Sequence, residues 1–190
     1  MPDPKGAAAA LDPRLSEPKS HAPAGANLLF LREEEMRAAQ DLLFFAYRDF
    51  TNAADVILEE LELGRAHHRA LHFIGRNPGI AVGDLLSLLR ITKQSLARVL
   101  TTLVGQGYVA QTQGRADRRQ RLLALTPAGQ ALERRLFERQ RERLLAAYRD
   151  AGAGAVEGFR RVARGIMDES ARAYLDRAEA ASRDPRARSA

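Results

Sequence analysis

The sequence predicts a mainly α-helical protein in which a short helix pair and a basic β-hairpin are inserted between longer helices. Three observations carry this prediction. Apolar residues recur at steps of three and four through most of residues 28–178, the period of an amphipathic helix. Two β-rich or apolar runs, Tyr108–Thr112 and Leu122–Thr126, interrupt that period around a basic segment containing Gly114, the pattern of a hairpin. Charge is concentrated at the same place. Residues 90–121 carry Arg90, Lys93, Arg98, Arg115, Arg118, Arg119 and Arg121 against one acid, Asp117. That net of +6 equals the net charge of the whole 190-residue chain, so the rest sums to zero. A polyanion-binding surface has this electrostatic footprint.

The composition excludes several classes. The chain has no Cys, so disulfides, thiolate metal sites and thiol redox sensing are ruled out. No apolar run approaches the length of a membrane span, and Ala7–Leu11 is too short and too weakly apolar for a secretion-signal core. A cytoplasmic protein with no membrane contact is expected.

Taken in order, residues 1–27 are rich in Ala and Pro without an apolar period and read as a disordered tail. Residues 28–63 read as one long helix with a stripe of Leu43, Tyr47, Phe50, Ala54, Ile57 and Leu61, ended by Gly64. Nine acids against Arg32, Arg37 and Arg48 make this segment acidic, so it should face away from a polyanion. A second helix covers Arg65–Arg76, with Leu71 and Ile74 inward, and stops at Asn77-Pro78-Gly79. Asp84–Leu89 forms a short helix, and Thr92 is placed to cap a further one through Gly105, with Leu96, Val99, Leu100 and Leu103 inward. After the hairpin, Thr126 caps a helix with Pro127 at its first position, where the missing N–H is not needed. That helix reaches Asp150. A flexible break at Ala151–Ala155 then precedes a last helix bearing Val156, Phe159, Val162, Ile166 and Tyr174. Residues 179–190 read as a second disordered tail.

The short helix followed by a helix exposing Thr92, Lys93, Gln94, Ser95, Arg98, Thr101 and Thr102 has a helix-turn-helix pattern suited to the major groove of duplex DNA. Gln94 can pair with adenine, Arg98 or Lys93 can reach guanine or phosphate, and Ser95 and Thr92 suit phosphate. By itself the pattern fits a solvated polar face equally well. The hairpin decides between them, because a basic tip bearing Arg115, Arg118 and Arg119 is a wing able to enter the narrow minor groove. Asp117, two residues before Arg119, is positioned to brace that guanidinium as an ion pair.

The stretch Asp117–Gly129, D-R-R-Q-R-L-L-A-L-T-P-A-G, together with Leu100-x-x-Leu103-x-x-x-Gly107-Tyr108-Val109, resembles the MarR family of winged-helix transcription regulators. The resemblance covers about Asp41 to Gly129 in residue pattern and extends to Tyr174 in element order. It implies a homodimer of winged helix-turn-helix units (64–126) joined through N-terminal (28–63) and C-terminal (127–178) dimerisation helices. It also implies that Arg119 is the minor-groove arginine, Asp117 its brace and Thr92–Thr102 the recognition helix. The expected partner is a pseudo-palindromic operator, bound to repress transcription. A small-molecule effector in the cleft between the two parts would be lined by Phe44, Phe45, Tyr47 and Phe73, each of which also fits plain core.

His67, His68 and His72 are the other cluster. His68 and His72 lie four apart and could face one metal, yet packing at a domain junction accounts for them better, and no metal or other cofactor is expected. No phosphate loop, nucleophile elbow or HExxH motif occurs, so enzymatic readings find no support. Two alternatives to DNA regulation remain: a metal-responsive sensor built on the histidines, and a winged-helix interaction module without DNA binding.

Overall fold

The computed structural model describes residues 31–183, and the chain divides into two compact units, Met1–Leu42 and Leu43–Ala190. In the first unit the described residues include the opening of helix α1 (Glu33–Glu60), where Arg37 and Glu33 pair one turn apart. The expected tail at 1–27 and the start of the helix at residue 28 lie outside the described residues, as do residues 184–190.

Within the second unit, α1 ends earlier than Gly64. Glu62 adopts a left-handed φ of 55°, and the Leu63 amide donates back to the Leu58 carbonyl at 2.8 Å. This is the bonding of a Schellman cap. Gly64 instead opens α2 (Arg65–Arg76), with extended backbone and its amide donated to His67 Nδ1 at 2.9 Å. A two-residue strand β1 (Ile80–Ala81) leads into α3 (Val82–Leu89), and α4 (Lys93–Gly105) follows. Thr92 caps α4 as the sequence requires, its Oγ1 accepting the Ser95 amide at 3.1 Å.

Strands β2 (Val109–Gln113) and β3 (Arg121–Leu125) form the hairpin, pairing antiparallel from Val109 opposite Leu125 to Gln113 opposite Arg121. The sheet has a third member, because β1 pairs antiparallel with the other edge of β3. A two-residue strand has no detectable period, so only its partner defines it.

Thr126 then caps α5 (Pro127–Ile166), accepting the Gly129 amide at 3.0 Å while donating to the Gly107 carbonyl at 2.6 Å. One side chain thus starts α5 and ties it to the end of α4. Gly129 packs so closely on Tyr108 that an added Cβ would sit 2.0 Å from the Tyr108 carbonyl oxygen. The expected loose break at 151–155 is a kink at Gly152 alone, where φ is 77°. The expected single last helix is divided: α5 ends at Ile166, and α6 (Glu169–Arg183) begins at a new cap, Asp168, which accepts the Ala171 amide at 2.9 Å. Helix α6 therefore occupies 179–183, where a disordered tail was expected.

The core joins α1, α2, α3, α4, the sheet and the first turns of α5. Its fully buried large side chains are Leu58, Leu71, Ile74, Leu85, Leu96, Leu103, Leu123 and Leu136. The inward residues expected on α4 are all buried. The stripe on α1 is divided: Ala54 and Ile57 join the core, whereas Leu43 and Tyr47 are exposed.

Candidate nucleic-acid interface

Helix α4 buries Leu96, Val99, Leu100 and Leu103 and so must turn Lys93, Gln94, Ser95 and Arg98 outward; all four are exposed. The N-terminal end of α4 is where a recognition helix meets base edges. Thr92 and Ser95 share a hydroxyl contact of 2.8 Å beside the free helix amides, which leaves hydroxyl lone pairs and N–H groups together at a phosphate-binding end. Thr101 and Thr102 are less available than expected. Their hydroxyls donate to the Ala97 and Arg98 carbonyls at 2.9 and 3.2 Å.

The hairpin tip has a defined shape. Gly114 is buried, its amide donates to the Gln120 carbonyl at 2.9 Å, and a Cβ there would lie 2.7 Å from the Asp117 carbonyl oxygen. Asp117 does not brace the Arg119 guanidinium. Its Oδ1 accepts the Arg119 backbone amide at 2.8 Å, while its carbonyl accepts the Gln120 amide at 3.0 Å. A short acidic side chain in a turn reaches the amide two residues on more readily than a distant, solvated guanidinium. Asp117 therefore organises the tip's backbone. Arg115, Arg118, Arg119 and Arg121 are exposed, and none makes an ion pair among the described residues. Lys93 and Arg98 are likewise unpaired. Arg90 is the exception in the basic window: its Nη1 lies 2.7 Å from Asp168.

The four residues expected around an effector are not brought together. Phe73 meets Tyr174 edge to face with ring centroids 5.6 Å apart and lines a cleft of about 1000 Å³ between α2, α3 and α6. Tyr47 lines a separate cavity of about 490 Å³ with Phe50, Arg65, His68, Arg69 and His72. Phe44 and Phe45 line neither, are exposed, and Phe45 carries the Arg48 guanidinium over its ring at 4.8 Å.

His67 is committed to the α2 cap, and burial pushes its pKa below the ordinary range. Burial also lowers His68 and His72, the latter with help from Arg76 and His68. His72 stands 3.8 Å from Glu133, whose pKa burial raises. A depressed imidazole facing a raised carboxyl is a polar contact at neutral pH rather than an ion pair. Among the described residues no group of three or more His, Cys, Asp or Glu could hold a metal. No described helix is long and apolar enough to cross a membrane.

Known proteins bear on this geometry. The sequence profile of the MarR family matches residues 61–120, from just after α1 to the tip of the wing. The HTH-type transcriptional regulator PetP of Rhodobacter capsulatus is 52% identical over 153 residues, spanning 80% of this chain and 92% of that one. A crystal structure of MarR superposes with a TM-score of 0.57 at 25% identity, covering 70% of this chain and 98% of that one. Two more distant structures share the fold. NadR in complex with 4-hydroxyphenylacetate has a TM-score of 0.58 at 22% identity over 65% of this chain and 88% of that one. A cysteine-to-serine mutant of MarR from E. coli, complexed with operator DNA, has a TM-score of 0.57 at 20% identity over 74% of this chain and 99% of that one. The exposed basic helix, the wing and the helices flanking them are thus those of a winged-helix regulator, and the chain belongs to the MarR family of DNA-binding helix-turn-helix transcriptional regulators, which are not enzymes.

Proposed function

We propose that this protein is a cytoplasmic homodimer that binds a pseudo-palindromic operator and represses transcription, with a small organic anion as effector. One observation carries the DNA reading: Lys93, Arg98 and the four wing arginines present six cations on one helix-plus-hairpin unit without a protein carboxylate to neutralise them. Such cations release condensed counterions when they meet phosphates. Gln94 and Arg98 lie one turn apart on the exposed face and address neighbouring base pairs, while Lys93 and Ser95 flank them toward the backbone. Arg115, Arg118 and Arg119 serve the adjacent minor groove, with Asp117 shaping the tip. The winged unit is flanked by α1 on one side and by α5 and α6 on the other, and these serve as the dimerisation helices in this reading. The apolar residues that α1 and α5 leave exposed support the dimer, as a self-complementary face is what a two-fold partner covers.

The effector reading rests on the smaller cavity. Its lining holds Arg65, Arg69, His68, His72, Gln140 and two aromatic rings, and no acidic side chain. Arg65 is already held by Asp55 and Asn52, so Arg69, whose guanidinium meets the Leu89 carbonyl but no carboxylate among the described residues, is the cation an anion would take.

Binding-site selection followed by titration tests the reading. An inverted repeat with half-sites about one DNA turn, roughly 34–36 Å, apart is expected. Arg119→Ala should weaken binding by about 1–3 kcal/mol, and Lys93→Ala should weaken all sequences alike and lower the salt slope by about one. Gln94→Ala and Arg98→Ala should change the selected sequence. Selection of the same motif by these two variants, or of no repeat by the wild type, would remove direct readout by α4.

A further inference from the structure

The turn between α3 and α4 sets how the recognition helix is presented, and side chains from outside the helix pair hold it on two sides. From α2, Arg69 Nη2 donates to the Leu89 carbonyl at 2.7 Å. From the start of α6, the Asp168 carboxylate meets Arg90 Nη1 at 2.7 Å, with Ser170 Oγ 3.5 Å from Arg90 Nη2. Asp168 is itself firmly placed, accepting from the Ala171 amide and the Ser170 hydroxyl at 2.9 and 2.7 Å. Helix α6 is fastened in turn: Asn77 Nδ2 donates to the Tyr174 hydroxyl at 3.1 Å, and Arg164 of α5 pairs with Asp176 and Glu179.

Arg90 occupies the left-handed region, with φ 50° and ψ 44°. A non-glycine residue persists there when its surroundings over-determine it. Its side chain, rather than backbone freedom, is therefore what the position uses. An exposed ion pair adds little to global stability, so the consequence of this one belongs to geometry.

We propose that Arg69 and Asp168 are positioning residues for operator recognition, fixing from α2 and from α6 the turn that launches the recognition helix. The proposal rests on the DNA-binding reading above. It also makes α6 part of the DNA-reading apparatus without contact to DNA. Because Arg69 lines the smaller cavity as well, an anion bound there competes with the Leu89 carbonyl for the same guanidinium.

The test uses the full chain, with the selected operator and a random duplex titrated at several salt concentrations, and thermal melting alongside. Asp168→Asn keeps a capping oxygen for α6 but gives up the charge facing Arg90. Arg69→Met removes the donor, and Arg69→Lys restores one. Both Asp168→Asn and Arg69→Met should lose about tenfold in operator affinity, the equivalent of about 1.4 kcal/mol, because a loosened turn must be fixed again when the recognition helix docks. Affinity for the random duplex and salt slope should stay near wild type in both, melting should stay near wild type in Asp168→Asn, whose lost pair is exposed, and Arg69→Lys should recover most of the loss.

Tighter binding by Asp168→Asn with a steeper salt slope would overturn the proposal and make Arg90 a phosphate cation. Equal losses on both duplexes with a lowered melting temperature would reduce the anchors to general stabilisers, and unchanged operator affinity would also overturn it. A wild-type protein that does not distinguish operator from random duplex would remove the DNA reading itself, and this proposal with it.

Discussion

Two regions of the molecule handle their apolar surface in opposite ways. Between Ala54 and Leu136 the helices and the sheet close over a continuous core, and all the buried apolar side chains of the described residues lie in that interval. From Phe137 to Arg183 no described residue is buried, although Phe137, Leu144, Phe159, Val162 and Ile166 follow a helical period. The N-terminal half of α1 matches the latter region, with Leu43, Phe44, Phe45 and Tyr47 exposed. Each of these large side chains, if fully covered, would contribute roughly 1.5–3 kcal/mol. The winged unit thus shares one closed core with the end of α1 and the start of α5, whereas the helix segments beyond leave apolar side chains uncovered among the described residues, the face a second copy would cover under the dimer proposed above. Charge divides along a different line: residues 90–121 carry a net of +6, whereas residues 28–63 carry nine acids against three bases.

The sharpest way to break this comparison is to charge the open face. Phe159→Glu combined with Val162→Glu places two carboxylates three residues apart on one side of α5. If a second copy covers that face, the double variant loses the dimer, and operator affinity falls by roughly 100-fold or more because two half-sites are no longer read together. Light scattering distinguishes a 21.0 kDa species from its dimer, and circular dichroism reports whether the helices persist. A variant that remains dimeric with wild-type affinity would place the interface elsewhere.

The closed region is broken by an opposite kind of change. Gly129→Ala inserts one methyl group where the Tyr108 carbonyl oxygen would stand 2.0 Å away, and two backbone segments cannot both yield. Overpacking against backbone should destabilise by about 3 kcal/mol, read as a lowered denaturation midpoint with the oligomeric state of the wild type retained. An unchanged midpoint would mean that the joint between wing and α5 is not closely packed.

The smallest effect concerns pH. His68 and His72 sit at the α2 side of the closed region with pKa values held below 6.5, chiefly by burial. Their neutral forms are favoured by folding, so their contribution is complete above the unfolded value and is lost as pH falls through the folded values. Glu133 acts in the reverse sense: burial raises its pKa above 4.5, so its contribution is present below 4.5 and lost as pH rises through the folded value. Melting temperature should therefore decline as pH is lowered from 7 toward 5.5, and His72→Gln should flatten that slope. A steeper decline in the variant would assign the slope to other groups.

Local chemistry made much of this protein legible in its sequence. Thr92 and Thr126 cap the helices that their position before Lys93 and Pro127 demanded, the inward side of α4 follows from its period, and the basic window locates a cluster of exposed cations. The caps depend on residues within one turn of each other, and the period and the charge window on continuous stretches of chain, so neighbours in sequence suffice to determine them. Other features were decided by partners distant in sequence. Strand β1 exists because β3, some forty residues on, offers its second edge. The second break before α6 had a local sign, Asp168 followed by Glu169 and Ser170, but the apolar period running through it concealed the cap. Phe44, Tyr47 and Phe73 share a chemistry that suggested one site, yet helix directions send them to different surroundings. Asp117 and Arg90 show the reason most plainly. The sequence determined that a carboxylate and a guanidinium stand in the basic window; the carboxylate meets an amide two residues on, a contact local turn chemistry allows, whereas the Arg90 guanidinium meets Asp168 only because the folded chain brings the start of α6 within hydrogen-bonding distance.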